Sequence, residues 1–301
     1  MVRIVAQGLS FTEGPVALPD GSLLVVELIG GKLSRITADG TVSTVAELGG
    51  GPNGAAIGPD GRCYVCNNGG FASVRHGDML IPQETPLDTP PGCIQVVDLD
   101  SGKFETLYAH SDATPFWGPN DIVFDRSGGF WFTDMGRDRG RVRTRGGVYY
   151  AKADGSEIRE VIAPLDGANG IGLSPDGSEL YVATTYEAHL IAFALSGPGQ
   201  LAAPFQGFGD GRIVGRGGPG QYLDSLAVDS LGRICVASPG KGAILIFPPE
   251  GGTPTVIETP DPITTNICFG GADLHTAYVT LGATGRVGAI DWDVPGLPLA
   301  F

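Results

Sequence analysis

Asn169-Gly-Ile-Gly-Leu-Ser-Pro-Asp-Gly177, continued by Glu179-Leu-Tyr-Val-Ala183, decides how the chain folds. An oxygen-bearing side chain opens a short apolar run, a Ser-Pro-Asp-Gly turn reverses the chain, and a second apolar run returns. Turn formers between two such runs specify a β-hairpin. The unit recurs as Glu13-Gly-Pro-Val-Ala-Leu-Pro-Asp-Gly21 and Asn53-Gly-Ala-Ala-Ile-Gly-Pro-Asp-Gly61. Asn120-Asp-Ile-Val-Phe-Asp-Arg-Ser-Gly128 and Asp224-Ser-Leu-Ala-Val-Asp-Ser-Leu-Gly232 keep the glycine at the same offset. A weaker sixth copy runs from Asn266 to Asp273, with Leu274 where the others have glycine.

Each unit continues into a second strand, at Leu23–Val26, Cys63–Cys66, Phe130–Thr133, Glu179–Ala183, Ile234–Ala237 and Ala277–Thr280. Third strands follow at Lys32–Ile36, Gly147–Tyr150, Leu190–Phe193 and Ala243–Phe247. The units start 40, 67, 49, 55 and 42 residues apart, close to the roughly 40–50-residue period of propeller blades. No amphipathic helix escapes interruption by Gly or Pro, which excludes α/β architectures. The expected fold is all-β, a six-bladed β-propeller filling residues 1–301 as one domain. Arg3-Ile-Val-Ala6 is expected to supply the outer strand of the last blade and close the ring.

The bulk numbers agree. With 49 glycines and 23 prolines at ordinary apolar content, the chain is rich in short elements and tight turns. A net charge of −14, from 19 basic and 33 acidic residues, opposes binding to nucleic acid or anionic membranes. Five cysteines scattered over strands suit a reducing compartment, so a cytoplasmic location is expected. Cys63 and Cys66 have CxxC spacing, but residues three apart on a strand face opposite ways and cannot share a metal.

The inner strand of each blade lines the central channel, so Glu13, Asn53, Asn120, Asn169, Asp224 and Asn266 should ring one end of it. Taken singly, each is an ordinary turn former before a strand. Six in register, two carboxylates with four amides, instead suit a hard divalent cation, calcium above Zn2+, Mg2+ or Mn2+. The four histidines show no ligand spacing. The longer loops, Asn67 to Gly92, His110 to Pro119, Met135 to Gly146, Thr184 to Ala188 and Phe205 to Tyr222, should gather at that mouth. Phe116, Trp117, Met135, Tyr186 and Tyr222 are the candidate substrate wall. Gly215-Arg-Gly-Gly-Pro-Gly220 leads into no helix N-terminus for a pyrophosphate, and there is no Gly-x-Ser-x-Gly elbow.

Phe11-Thr-Glu-Gly-Pro-Val16, Gly118-Pro-Asn-Asp-Ile-Val-Phe124 with Gly129-Phe-Trp-Phe-Thr-Asp134, the Asn169–Gly177 unit and Leu223-Asp-Ser-Leu-Ala-Val-Asp229 resemble the gluconolactonase, regucalcin and luciferin-regenerating enzyme family. The resemblance runs over nearly the whole chain. It implies a six-bladed propeller with a catalytic divalent metal, usually a lactonase. It further implies that Glu13, Asn120, Asn169 and Asp224 are metal ligands, that Asn120 also contacts substrate, and that Asp224 is the general base. Asp224-Ser225 departs from the Asp-Gly of many relatives, and Thr-Asn266 from the Thr-Cys of sugar lactonases.

The expected activity is hydrolysis of a small lactone or ester at a metal-polarised carbonyl, with Asp224 and Asn120 catalytic and Asn53 among the substrate contacts. Asp121 and Asp134 are alternative bases, although Asp121, following a ligand on a strand, is expected to face away and bond backbone. The arginines from Arg137 to Arg145 are expected in a solvated loop. Competing readings are a phosphotriesterase-like hydrolase on the same metal and a calcium-binding propeller without turnover.

Overall fold

The structure is a computed structural model and describes residues 1–112, 114–207 and 209–301. Ala113 and Phe208, in two of the loops expected at the rim, lie outside the described residues. Six antiparallel sheets succeed one another along the chain. Their inner strands are Thr12–Ala17, Pro52–Ile57, Pro119–Phe124, Ala168–Leu173, Leu226–Val228 and Thr264–Gly270, in blades 1 to 6. This is the six-bladed propeller expected from the repeat.

Blade 6 is completed from the other end of the chain. Arg3–Gln7 pairs with Arg286–Asp291 as its outermost strand, so the ring is clasped by residues nearly the whole sequence apart. The glycine-rich 215–220 stretch begins in Arg212–Arg216, which pairs with His189–Gly197 as an outer strand of blade 4.

The hydrophobic core is divided into slabs, one between each pair of neighbouring blades. Val16, Leu24, Val26 and Leu33 of blade 1 meet Cys63, Val65 and Val97 of blade 2. From the opposite face of the same sheet, Tyr64, Cys66 and Ile94 meet Phe124, Phe130 and Phe132 of blade 3. Cys63 and Cys66 thus sit in different slabs, and all five cysteines are free. Because both sheet faces are covered, the second strands read as continuous apolar runs instead of alternating ones. Ala6 and Val287 against Leu23, Val25 and Ile36 make the slab that closes the ring.

Every blade turn shares one backbone requirement. Gly21, Gly61, Gly128, Gly177 and Gly232 have φ of 82°, 76°, 84°, 73° and 77°, a left-handed conformation that a side chain disfavours. Leu274 occupies the same place in blade 6 at φ 60°, where an L-residue costs about 1–2 kcal/mol. Replacing it by glycine removes that strain and adds about 0.5–1 kcal/mol of unfolded-state entropy. Leu274→Gly is therefore expected to stabilise the protein by about 0.5–1 kcal/mol in denaturant titration. Gly177→Ala, where an added methyl meets nothing, should destabilise it by about 1 kcal/mol through backbone strain alone.

Candidate active site

The side chains that open the repeats are aimed inward by interruptions in the ladders. Pairing between the inner strand and its neighbour skips from Glu13 to Val16, Pro52 to Ala55, Pro119 to Ile122, Ala168 to Ile171 and Thr264 to Asn266. In blade 5 the strand begins only after Asp224, whose N–H bonds Ala237 O at 2.9 Å while the Ala237 N–H bonds Ser225 O at 2.9 Å. A bulge bends the strand and re-aims the side chains at it: Asn53, Asn120 and Asn169 fall inside the breaks, whereas Glu13 and Asn266 stay paired with Val26 and Thr280 at the edge of theirs. Six bulge-like breaks at one end of six strands make a site on the axis.

Contacts between blades close this end into a continuous ring. A Cβ on Gly14 would overlap Asn53 O, one on Gly54 would fall on Asn120 O and Asp121, and one on Gly170 on Asp224 O and Ser225. Glycine after the first, second and fourth site residues is thus what allows the next blade to approach. The remaining junctions use hydroxyls and backbone. The Asp121 N–H bonds Thr133 Oγ1 at 3.0 Å, which donates to Asn169 O at 2.5 Å. The Ser225 N–H bonds Thr265 O at 3.2 Å, and Thr265 Oγ1 donates to Thr12 O at 2.8 Å.

Charge and polarity at the ring are unbalanced. Burial drives the Glu13 carboxyl well above its ordinary range, and the negative fields of Asp224 and Asp121 add to the shift. Burial likewise raises Asp224, with the amide of Asn169 opposing and Asp121 assisting. Asp121 is pushed up to about 7 by burial, against hydrogen bonds from the N–H groups of Ile122 and Ile171. Beside these acids the buried Oδ1 atoms of Asn53, Asn120 and Asn169 have no hydrogen-bond partner. Their amide nitrogens fix the direction: Asn169 Nδ2 donates to Thr185 Oγ1 at 2.9 Å, and Asn120 Nδ2 rests on Met135 Sδ at 3.8 Å. Asn266 differs, donating to Glu13 Oε2 at 3.3 Å while its own oxygen accepts from the Ile267 N–H. It braces a carboxylate and leaves no oxygen bare.

Such a donor set fits a hard, oxygen-seeking cation. It is rich in amide: no three of His, Cys, Asp and Glu converge as a metal cluster among the described residues. A cation here therefore depends on the Asn oxygens, which can face it without protonation.

The rim holds some of the expected substrate contacts and not others. Met135 touches Asn120, and Tyr186 packs over Gly167 just ahead of Asn169, with Arg143 stacked on its ring at 3.8 Å. Trp117 is half-buried beside Arg137, and Tyr222 is exposed. Phe116 is a correction: its ring is fully buried between Phe132 and Tyr149, at 5.4 and 5.3 Å, and serves the blade 2–3 slab. Asp121 bonds backbone as expected, yet it also borders the channel immediately beyond the ring and joins its field.

Asp134 is not placed as a base, because its oxygens accept the N–H groups of Trp117, Gly118 and Gly136 at 2.7–2.8 Å. Nor is Arg137 solvated. Its guanidinium is buried on the carbonyls of Trp117, Thr89, Asn68 and Pro90. Thr185, which orients Asn169 and itself donates to Leu223 O at 2.8 Å, was not singled out from sequence. A lone threonine after a strand carries no signal of that duty.

Fold and site together define a six-bladed propeller with an acid-and-amide centre on its axis. Residues 11–283 match the SMP-30/Gluconolactonase/LRE-like region, and the chain belongs to that family. The lactonase drp35 of Staphylococcus haemolyticus is 32% identical over 253 residues, covering 83% of this chain and 70% of the relative. That of Staphylococcus saprophyticus is 33% identical over the same length and shares. Among solved structures, a gluconolactonase from Xanthomonas campestris superposes with a TM-score of 0.76 at 23% identity, covering 98% of this chain and 89% of the other. A calcium-binding regucalcin from Agrobacterium tumefaciens gives 0.76 at 20%, covering 100% and 97%.

The raised carboxyls have a consequence for stability. A carboxyl whose folded-state pKa exceeds its unfolded value holds its proton longer in the native state, so stability is full below the unfolded value and declines as pH rises through the folded one. With divalent ions chelated, the melting temperature is expected to fall by several degrees between pH 4.5 and 7.5. Asp121→Asn, which keeps the shape and removes one titration, should flatten that slope. A melting temperature that instead climbs with pH over this window would contradict the electrostatic picture.

Proposed function

We propose that the protein hydrolyses lactones with the help of one divalent cation, calcium by preference, held by Glu13, Asn120, Asn169 and Asp224. One observation carries the reading: buried amide oxygens without partners stand beside buried, desolvated carboxylates. Buried polar atoms are ordinarily satisfied, and an unpaired one costs about 1–3 kcal/mol. Two carboxylates would balance a doubly charged ion, and the bare amide oxygens would complete an oxygen-only shell. The lactonase and gluconolactonase relatives support the substrate class.

A bound divalent ion supplies Lewis-acid polarisation of a carbonyl and lowers the pKa of water. The chain's own residues do the rest. Asp224 accepts the proton as water oxygen bonds to the carbonyl carbon, and returns it to the ring oxygen when the carbon–oxygen bond breaks. Asn53 and Asn120 orient the substrate. Thr185 holds Asn169 by its nitrogen and leaves Oδ1 without a protein partner, and Met135 and Tyr186 shield one side of the site from water. The five free cysteines fit a reducing, cytoplasmic setting.

Asp224→Asn retains shape and an oxygen but cannot take a proton. It is expected to lower kcat about 10²–10⁴-fold while weakening calcium binding much less, measured by proton release from a lactone panel and by calorimetry. Chelation should abolish turnover of the parent reversibly. Unchanged turnover after both treatments would exclude this chemistry.

A further inference from the structure

Residues 68–91 form a fixed strap whose anchors lie on opposite sides of the ring. The segment leaves blade 2 at Asn68 and makes a small hairpin, Ser73–His76 with Met79–Pro82. At the hairpin the Leu80 N–H bonds Ala283 O at 2.7 Å, in the mouth-side turn of blade 6. The chain then runs to blade 3, where the Thr85 N–H bonds Asp138 O at 3.2 Å and the Arg137 guanidinium takes the carbonyls of Thr89 and Pro90. Six blades stand about 60° apart, so blades 6 and 3 face each other across the axis. The segment starts against Gly50 and Gly51 of the blade 1–2 connection, so its path between the two anchors passes over the blade 1–2 half of the mouth.

The two strands of the hairpin are unequal. All four residues of Ser73–His76 are exposed, whereas Met79, Leu80, Ile81 and Pro82 are all half-buried. The sheltered strand is the apolar one. On the blade 4–5 side no comparable segment crosses among the described residues, and Tyr186 and exposed Tyr222 flank the opening.

We infer that this strap is the specificity-determining wall of the site: substrate enters from the blade 4–5 side, and a substituent on its ring lies against Met79–Pro82. The inference rests on the reading of the axis as the lactone site. The strap would favour rings bearing an alkyl chain over bare rings, because either face of this strand, Met79 with Ile81 or Leu80 with Pro82, offers apolar contact. Arg137 acts as a positioning residue, since it fixes Trp117 and the Thr89–Pro90 end of the strap through one planar group.

Two variants test it. Ser73–Pro82 is excised and replaced by Gly-Gly, a short closure because the Gln83 N–H already bonds Ala72 O at 2.7 Å. Leu80→Pro removes only the N–H that reaches Ala283. Leu80 lies opposite Arg75, one pair beyond the His76–Met79 pair at the turn, so its N–H points away from the hairpin and proline leaves the hairpin's own bonds intact. In the calcium-loaded protein, kcat/KM is measured for an unsubstituted and a hexyl-substituted five-membered lactone, and Kd for the two corresponding lactams, which resist hydrolysis.

The parent should prefer the hexyl compounds, and both variants should lose about tenfold or more of that preference while the bare ring changes little. An equal loss for both ring types, or no change in the ratio, would overturn the role of the strap. If lactam preference depends on the strap yet no lactone is turned over, the inference stands and the hydrolytic reading falls. Should the excision fail to fold, the same ratio measured on Leu80→Pro decides between these outcomes.

Discussion

Like charges buried together on the axis are the constraint around which the molecule is arranged. Glu13, Asp224 and Asp121 come from three blades; burial raises the proton affinity of all three, Asp121 adds to that of Asp224, and both add to that of Glu13. Nothing local to any one of them justifies that cost, so the positions must be imposed by the rest of the fold. The imposition comes from slabs of core that fill both faces of every sheet and from the Arg3–Gln7 strand that closes the ring. An open sheet could relax by splaying its inner strands apart. A clasped ring cannot, and it presents to a cation a set of oxygens whose repulsion has already been overcome.

The same constraint explains what could be read in the sequence. Hairpin units, third strands and the closing strand depend on local turn chemistry and on apolar runs, and both are written in consecutive residues. The oxygen-bearing openings were legible because they recur at a fixed offset from the turn glycine. Their separate duties were not. Asn266 has the same side chain as Asn169, but only its distance from Glu13 shows that it braces a carboxylate with its nitrogen and commits its oxygen to Ile267.

The rim was harder still, because a loop side chain gives no period to count. Phe116 and Trp117 are neighbours, yet the first fills the blade 2–3 slab and the second stands by the mouth. Arg137, in a run of arginines that reads as a solvated loop, is the one that collects four carbonyls from two other loops. Burial of a charged group against backbone is a tertiary event, invisible to composition. Asp134 is its counterpart, gathering three N–H groups where a free carboxylate was expected.

Ser225, where many relatives carry glycine, looks at first like a flaw beside the base. Contacts around the ring show why a side chain is tolerated there. Glycine is demanded at 14, 54 and 170 because in each case the backbone of the next blade presses on that position. After Asn120 and Asp224 the next blade is met differently: Thr133 bridges Asp121 to Asn169 O, and the Ser225 N–H reaches Thr265 O directly. Those junctions leave room for a Cβ. Position 121 uses the room for a third carboxylate, and position 225 for a small buried hydroxyl beside it. The side chain at 225 therefore adds a small buried polar group behind Asp224. With no hydrogen-bond partner of its own, that hydroxyl is one more buried polar atom behind the acids of the ring.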